Sequence, residues 1–159
     1  MSKSLKRVEQ ALRDAGLTSP VLEMEGSTRT AQDAADQAGC ALDQIAKSII
    51  FKGAESGAIC LFITAGGNRV DPDMAALVAV EALERADGKE VRKLTGFAIG
   101  GVAPIGHLTA PHTFFDPRLL EFDSVWAAAG TPRHIFEIAP SDLLRISGAR
   151  KASFTDSQI

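Results

Sequence analysis

Two groups of residues in this chain have types and spacing suited to chemistry. The first is Gly100-Gly101-Val102-Ala103-Pro104-Ile105-Gly106-His107. Glycine lets main-chain N–H groups approach a ligand with no Cβ in the way, and Pro104 fixes the path. Aligned N–H groups of that kind stabilise negative charge developing on an ester or carbonyl oxygen. The same loop would also serve as a plain turn between strands. The second group is Lys47 within the apolar run Ile45-Ala46-Lys47-Ser48-Ile49-Ile50-Phe51. In a strand Lys47 shares a face with Ile49 and Phe51, and burying an ammonium without a partner is costly. It must therefore meet a carboxylate, line a ligand cavity or lie at an exposed strand end.

Other chemistries find less support. His107, His112 and His134 do not form metal-ligand spacing on one element, and Cys40 and Cys60 lack a C-x-x-C arrangement. No metal and no cofactor are expected. No serine stands in G-x-S-x-G, no thiol has a nearby histidine in sequence, and G-x-x-x-x-G-K-[ST] is absent. An enzyme built from these residues would work without a covalent side-chain intermediate.

The elements that must position them follow from periodicity and punctuation. Leu5, Val8, Leu12 and Leu17 define an amphipathic helix over residues 4–17, followed by a short strand over 21–24. Thr30 and Asp33 have capping spacing for a second helix ending at Gly39. Residues 42–45 form a helical turn leading into a strand over 47–51. Residues 58–64 are apolar throughout, which predicts a central strand. Asp71-Pro72 starts a helix expected to run to Asp87-Gly88. Residues 91–94 are extended or helical, and 112–115 form a strand closed by Asp116-Pro117. Strands over 124–129 and 134–138 form a hairpin through Gly130-Thr131-Pro132-Arg133, and a last helix starts near Ser141-Asp142.

Composition bounds the rest. The chain has 159 residues, 45% of them apolar and 23% charged, which suits one α+β domain spanning 1–159. No apolar run is long enough for a bilayer, and the N-terminal pattern is not a signal peptide, so a cytoplasmic protein without membrane association is expected. A net charge of −3 argues against wide coating of nucleic acid. With no helix-turn-helix pattern, DNA is not an expected partner. Local basic groups at Lys3/Lys6/Arg7, Lys89/Arg92/Lys93 and Arg145/Arg150/Lys151 read as solvated surface.

As a set and in this order, the lysine strand, the glycine–proline loop and the terminal hairpin resemble the YbaK/prolyl-tRNA synthetase-associated (ProX-like) family of free-standing aminoacyl-tRNA editing domains. The resemblance rests on Lys47 in its run, on residues 95–106 with G-x-x-P-x-G as Gly101, Pro104 and Gly106, and on Ala129-Gly130 followed by His134-Ile135-Phe136-Glu137-Ile138. It implies a mixed α/β fold with a curved, barrel-like sheet surrounded by helices. It also implies hydrolysis of the ester joining a wrong amino acid to the end of a tRNA, typically tRNA(Pro). Partners would be the tRNA acceptor end and, transiently, a synthetase or elongation factor. The catalytic set carried over is Lys47, Gly100, Gly101, Gly106 and His134. The substrate-binding set is Thr30, Val102, Ala103, Pro104, Ile105 and Gly130. In the family the lysine holds the terminal nucleotide, the loop holds the aminoacyl carbonyl, and His134 falls where a related domain that clears alanine has a pocket histidine. Cysteine-clearing members have a Gly-Lys-Arg-Gly-type sequence where this chain has Gly130-Thr131-Pro132-Arg133-His134, so alanine is the expected residue. Cysteine on tRNA(Pro), or serine or threonine on tRNA, are the alternatives among substrates. A non-catalytic tRNA-end or nucleotide-binding module is the alternative among functions.

Overall fold

The structure is a computed structural model that describes residues 2–25 and 30–156. Helix α1 (Lys3–Asp14) is started by the Ser2 hydroxyl, which accepts the Leu5 N–H, and it buries Leu5, Val8 and Leu12. Strand β1 (Val21–Glu23) follows, then α2 (Ala31–Ala38), capped by Thr30 through the Asp33 N–H and ended by Gly39. A 3-10 turn at Leu42–Gln44 delivers the chain into β2 (Ile45–Gly53), which pairs antiparallel with β3 (Ile59–Ala65). All of β3 is buried. Ile59, Leu61, Ile63 and Ala65 join the main core with α1, whereas Cys60 and Phe62 enter a second cluster with Phe114 and Phe154. The Phe62 ring stacks on Phe114 at 5.1 Å and meets Phe154 edge-on at 4.9 Å.

Asp71 caps α3 (Pro72–Ala79), with Pro72 in the first turn as expected. The helix does not run on to Asp87-Gly88. It stops at Val80, which takes a left-handed conformation at φ 60° and ψ 31° while 85% exposed. The chain then forms β4 (Leu83–Glu84), and Asp87 turns out to be the N-cap of α4 (Gly88–Thr95). Just after Val80, the Glu81 carboxylate accepts the N–H groups of Glu55 and Ser56 and the Ser56 hydroxyl, fixing the reversed chain to the β2–β3 turn. Residues 91–94, open between strand and helix in sequence, are helical.

The remaining elements are β5 (His112–Phe115), a 3-10 segment at Pro117–Glu121, the antiparallel hairpin β6 (Val125–Thr131) and β7 (His134–Ile138), α5 (Pro140–Ile146) and β8 (Arg150–Lys151). The sheet order is β1-β7-β6-β2-β3-β5-β8, with β4 paired to β2 off this path. The described pairing leaves β1 and β8 as its two ends and does not by itself show the curved, barrel-like form that the resemblance implied. The architecture is mixed α/β, with α1 packed against the main core and α2 against a small cluster of Met24, Ile45 and Ile135.

One feature of this pairing matters for the site. Along its other edge β2 meets β6 only at Ile45 and Ala46, and β4 only at Lys52 and Gly53. Residues 47–51 therefore face a gap between two strands.

Val80 is a β-branched residue in a backbone region that costs a side-chain-bearing residue about 1–2 kcal/mol, and its exposure leaves little packing in return. Val80→Gly should raise the unfolding free energy by about 1 kcal/mol, less the extra chain entropy of glycine. In a thermal melt this corresponds to a midpoint increase of roughly 2–4 °C. An unchanged or lower midpoint would show that Val80 packs more tightly than its exposure indicates.

Candidate active site

A cavity on one face of a strand is lined by every second residue. A cavity of about 490 Å³ is lined by the consecutive residues 45–50, because it opens on the unpaired edge of β2. The ladder shows which backbone groups face it. The Gly53 N–H bonds Ala58 on the β3 side, the Ala54 N–H bonds Ala82 on the β4 side, and the Ile63 carbonyl of β3 is turned to Asp116 beyond β5. By alternation, the backbone groups of Ser48 and Ile50 point away from β3 into the gap. The Ser48 hydroxyl is buried and has no hydrogen-bond partner among the described residues.

Lys47 lines this cavity and is half-buried. Its ammonium donates to the Gly66 carbonyl at 3.2 Å, in the turn after β3. Burial pushes the amine below its ordinary lysine range, while Asp43 and then Asp116 act to hold it up. Both carboxylates are otherwise engaged. Asp43 accepts the Gly67 N–H at 2.8 Å and the Arg118 guanidinium at 3.0 Å. Buried Asp116 accepts the Ala65 N–H, the Asn68 amide and the Arg118 N–H. Among the described residues no carboxylate lines the cavity, whereas two cations, Lys47 and Arg85, do. The remaining wall is largely apolar, with Ile45, Val91, Trp126 and Ile135 among its members.

The glycine–proline loop divides between two cavities. Gly100 and Val102 line the large one together with Lys47 and Thr30. Pro104, Ile105 and Gly106 line a separate cavity of about 220 Å³ with His107, between α1 and α5. Ala103 is fully buried between them. The Gly101 N–H donates to the Ala98 carbonyl at 3.0 Å, which closes a turn. The N–H groups of Gly100 and Val102 have no hydrogen-bond acceptor among the described residues. The free donors next to Lys47 are thus Gly100 and Val102, and the central glycine serves the loop's own shape.

Two expected members lie elsewhere. His134 borders a shallow cavity with Leu5 and Glu9 of α1, and its Nδ1 shares a 2.7 Å hydrogen bond with the Thr131 hydroxyl. Its neighbour Ile135 lines the large cavity, and strand alternation turns His134 to the opposite face. Gly130 is packed against α1, where its carbonyl accepts the Ser4 hydroxyl at 2.7 Å.

Arg7, read from sequence as part of a solvated basic patch, is bound into the structure. Its guanidinium donates to the Gly106 carbonyl at 3.1 Å and the Gly96 carbonyl at 2.8 Å, and lies 4.8 Å from the Phe97 ring centre. It clamps both ends of the loop segment to α1. Nothing in the spacing of Lys3, Lys6 and Arg7 separates this residue from its neighbours. Ser48 was more visible, as a hydroxyl beside Lys47 in an otherwise apolar run.

A Cβ on Gly101 would lie 2.9 Å from the Thr131 Cα and 3.0 Å from its carbonyl carbon, both backbone atoms of the hairpin. On Gly100, at φ 94°, a Cβ would meet nothing within 4 Å. Gly101→Ala should therefore cost roughly 1–3 kcal/mol of stability by forcing the loop off the hairpin. Gly100→Ala carries only backbone strain of roughly 1–2 kcal/mol. Denaturant unfolding of both variants checks this order, and a more stable Gly101→Ala protein would remove the packing role assigned to Gly101.

Comparisons with known proteins show the family to which the fold belongs. The family profile described as "Aminoacyl-tRNA editing domain" matches residues 25–146. The uncharacterized protein YwhH of Bacillus subtilis (strain 168) is 31% identical over 144 residues, covering 91% of each chain. Among solved structures, a candidate trans-editing enzyme for prolyl-tRNA synthetase is 43% identical, with 99% of each chain covered and a TM-score of 0.91. The hypothetical protein APE2540 is 27% identical with a TM-score of 0.85, over 94% of this chain and 99% of that one.

Proposed function

Because this chain belongs to the aminoacyl-tRNA editing domain family, we propose that it deacylates mischarged tRNA in trans, with alanine on tRNA(Pro) as the leading substrate. The observation that carries the reading is the shared cavity, lined by Lys47 and by Gly100 and Val102, whose N–H groups are free, with no carboxylate among the described residues of its wall. A cavity lined by cations suits a phosphate-bearing chain end, and unpaired N–H groups suit an ester oxygen that becomes negative during attack.

An aminoacyl ester needs no side-chain nucleophile. Water, or water assisted by a ribose hydroxyl, attacks the carbonyl carbon, and the oxygen gathers charge against Gly100 and Val102. The bond from that carbon to the ribose oxygen then breaks. The water's proton ends on the ribose, leaving free amino acid and uncharged tRNA. One backbone donor of this kind is worth about 3–4 kcal/mol in the transition state. Lys47 fixes the chain end, which turns a bimolecular encounter into an ordered one. The Ser48 hydroxyl and the free β2 backbone offer neutral acceptors for the amino group. A cavity of limited width then acts as a size sieve, excluding residues larger than the one to be cleared. A synthetase or elongation factor would meet the protein only transiently, through the shared tRNA.

The direct test is a deacylation panel of tRNA(Pro) charged with Ala, Ser, Cys or Pro, and tRNA(Ala) charged with Ala, Ser or Gly. Hydrolysis of Ala-tRNA(Pro) with Pro-tRNA(Pro) spared is the expected pattern. Tight tRNA binding with no hydrolysis of any member would favour the non-catalytic end-binding module instead. The role of Lys47 can be separated from folding. Lys47→Met keeps the aliphatic stem and removes a partly desolvated charge, so stability should hold or rise slightly. Single-turnover hydrolysis should fall at least about a hundredfold, equivalent to roughly 2.7 kcal/mol. A variant with near-normal turnover would take Lys47 out of the site.

A further inference from the structure

His107 is the one residue of the loop motif with a titratable side chain, which is half-buried, and the hydrolytic scheme does not use it. Its Nε2 lies 2.6 Å from the Ala103 carbonyl. A carbonyl can only accept, so Nε2 carries the proton. The other ring nitrogen, Nδ1, is buried with no hydrogen-bond partner among the described residues. The ring meets Phe97 edge-on at 5.1 Å, and the Arg7 guanidinium covers the same Phe97. His107 thus bonds the loop's centre from within while Arg7 bonds its ends, Gly96 and Gly106.

We propose that His107 is a positioning residue for the deacylation reaction. Its neutral, Nε2-protonated ring sets the direction of the Ala103 peptide, and with it the Val102 and Gly100 N–H groups on the cavity side. This inference rests on the deacylase reading given above. Val102 lines the large cavity and His107 the small one, with buried Ala103 between them, so the bond to Ala103 links the two sides of the loop.

The surroundings favour a neutral ring. Burial is the main effect pushing its pKa below the ordinary value of 6.5, the bond to Ala103 opposes this, and the Arg7 charge adds to it. Arg7 of α1 is the charged group acting on the ring. The residues sharing its cavity from α1, α5 and the following loop are Ala11, Ile146, Ser147, Ala110 and Pro111, none of them charged. The folded protein therefore binds less proton here than the unfolded chain. The stability contributed by this site is fully present above the ordinary histidine pKa and is lost as pH falls through the lowered folded value.

The test compares His107→Gln and His107→Ala with the native protein on the best substrate of the panel. The glutamine amide can donate to Ala103 but cannot titrate. At pH 8, His107→Ala should lower kcat at least about tenfold with KM within about twofold, and His107→Gln should stay within about threefold of native. The native protein should lose kcat on the acid side, and His107→Gln should lack that limb. Glutamine no better than alanine, an unchanged acid limb, or an effect confined to KM would each overturn the proposal. A second readout does not need turnover. In the native protein the amide resonances of Gly100 and Val102 should follow the titration of the His107 ring by NMR, with the ring nitrogens showing the Nε2–H tautomer. In His107→Gln that pH dependence should vanish. Should no charged tRNA be cleaved, the deacylase reading fails by itself. Loop amides that ignore His107, or an Nδ1–H tautomer, would then overturn the positioning role separately.

Discussion

The site depends on a strand that is only half paired. β2 is fully hydrogen-bonded to β3 on one side, and on the other it is held at its first residues by β6 and at its last by β4. A sheet continued across residues 47–51 would leave no cavity. Instead the neighbours diverge, and the backbone of Ser48 and Ile50 is left facing a space walled by apolar side chains. Buried main-chain groups without partners are costly, so such an edge persists only where water or a ligand supplies the missing bonds. The rest of the fold serves to keep that gap open. β3 anchors β2 through two cores at once, and Glu81 and the Lys52–Glu90 ion pair at 2.7 Å fix the segment that bears β4.

The electrostatics of the gap follow from where its charges are placed. Asp43 and Asp116 lie close enough to favour the Lys47 cation, yet both are bound to backbone N–H groups and to Arg118 or Asn68. They do not neutralise Lys47 by direct contact, and its one acceptor among the described residues is the neutral Gly66 carbonyl. A cation held by a neutral carbonyl in a partly dry wall keeps most of its capacity for an anionic ligand. That is a better arrangement for meeting phosphate than a closed ion pair, which would have to be broken first.

Much of this was legible in sequence because it is local. Thr30, Asp71-Pro72 and Asp116-Pro117 act as the caps their chemistry predicts, and the unbroken apolar run of β3 marks the central strand. Lys47 in an apolar strand and the Gly-x-x-Pro-x-Gly loop are as visible, and the structure brings Lys47, Gly100 and Val102 to the wall of one cavity. The failures are tertiary. Val80 ends α3 in a conformation that valine does not advertise, so the stop was placed at Asp87-Gly88, where an aspartate caps the next helix instead. Two-residue strands such as β4 and β8 are too short to have a period. His134 shows the limit of alternation, which separates it from Ile135 but cannot tell which face holds the cavity. The roles of Arg7 and His107 arise from contacts with residues 89 and 99 positions away or with a buried carbonyl, and no spacing rule reaches either.

The reversal at Val80 has a consequence for how such a protein can diversify. The wall formed by Arg85 and Ala86 belongs to a short segment whose ladder to the sheet has two residue pairs, Lys52 with Glu84 and Gly53 with Leu83, while Glu81 and Ala82 are bonded to the β2–β3 turn and Ala86 is buried in the main core. The opposite wall is part of a hairpin rooted in the main core. Substitutions at the exposed positions Ala82, Glu84 and Arg85 can therefore reset the charge of the opening while the core packing, which takes in Leu83 and Ala86, and the glycine–proline loop stay as they are. The charge of the opening and the packing of the core are carried by different side chains, which leaves selection free to alter one without taxing the other.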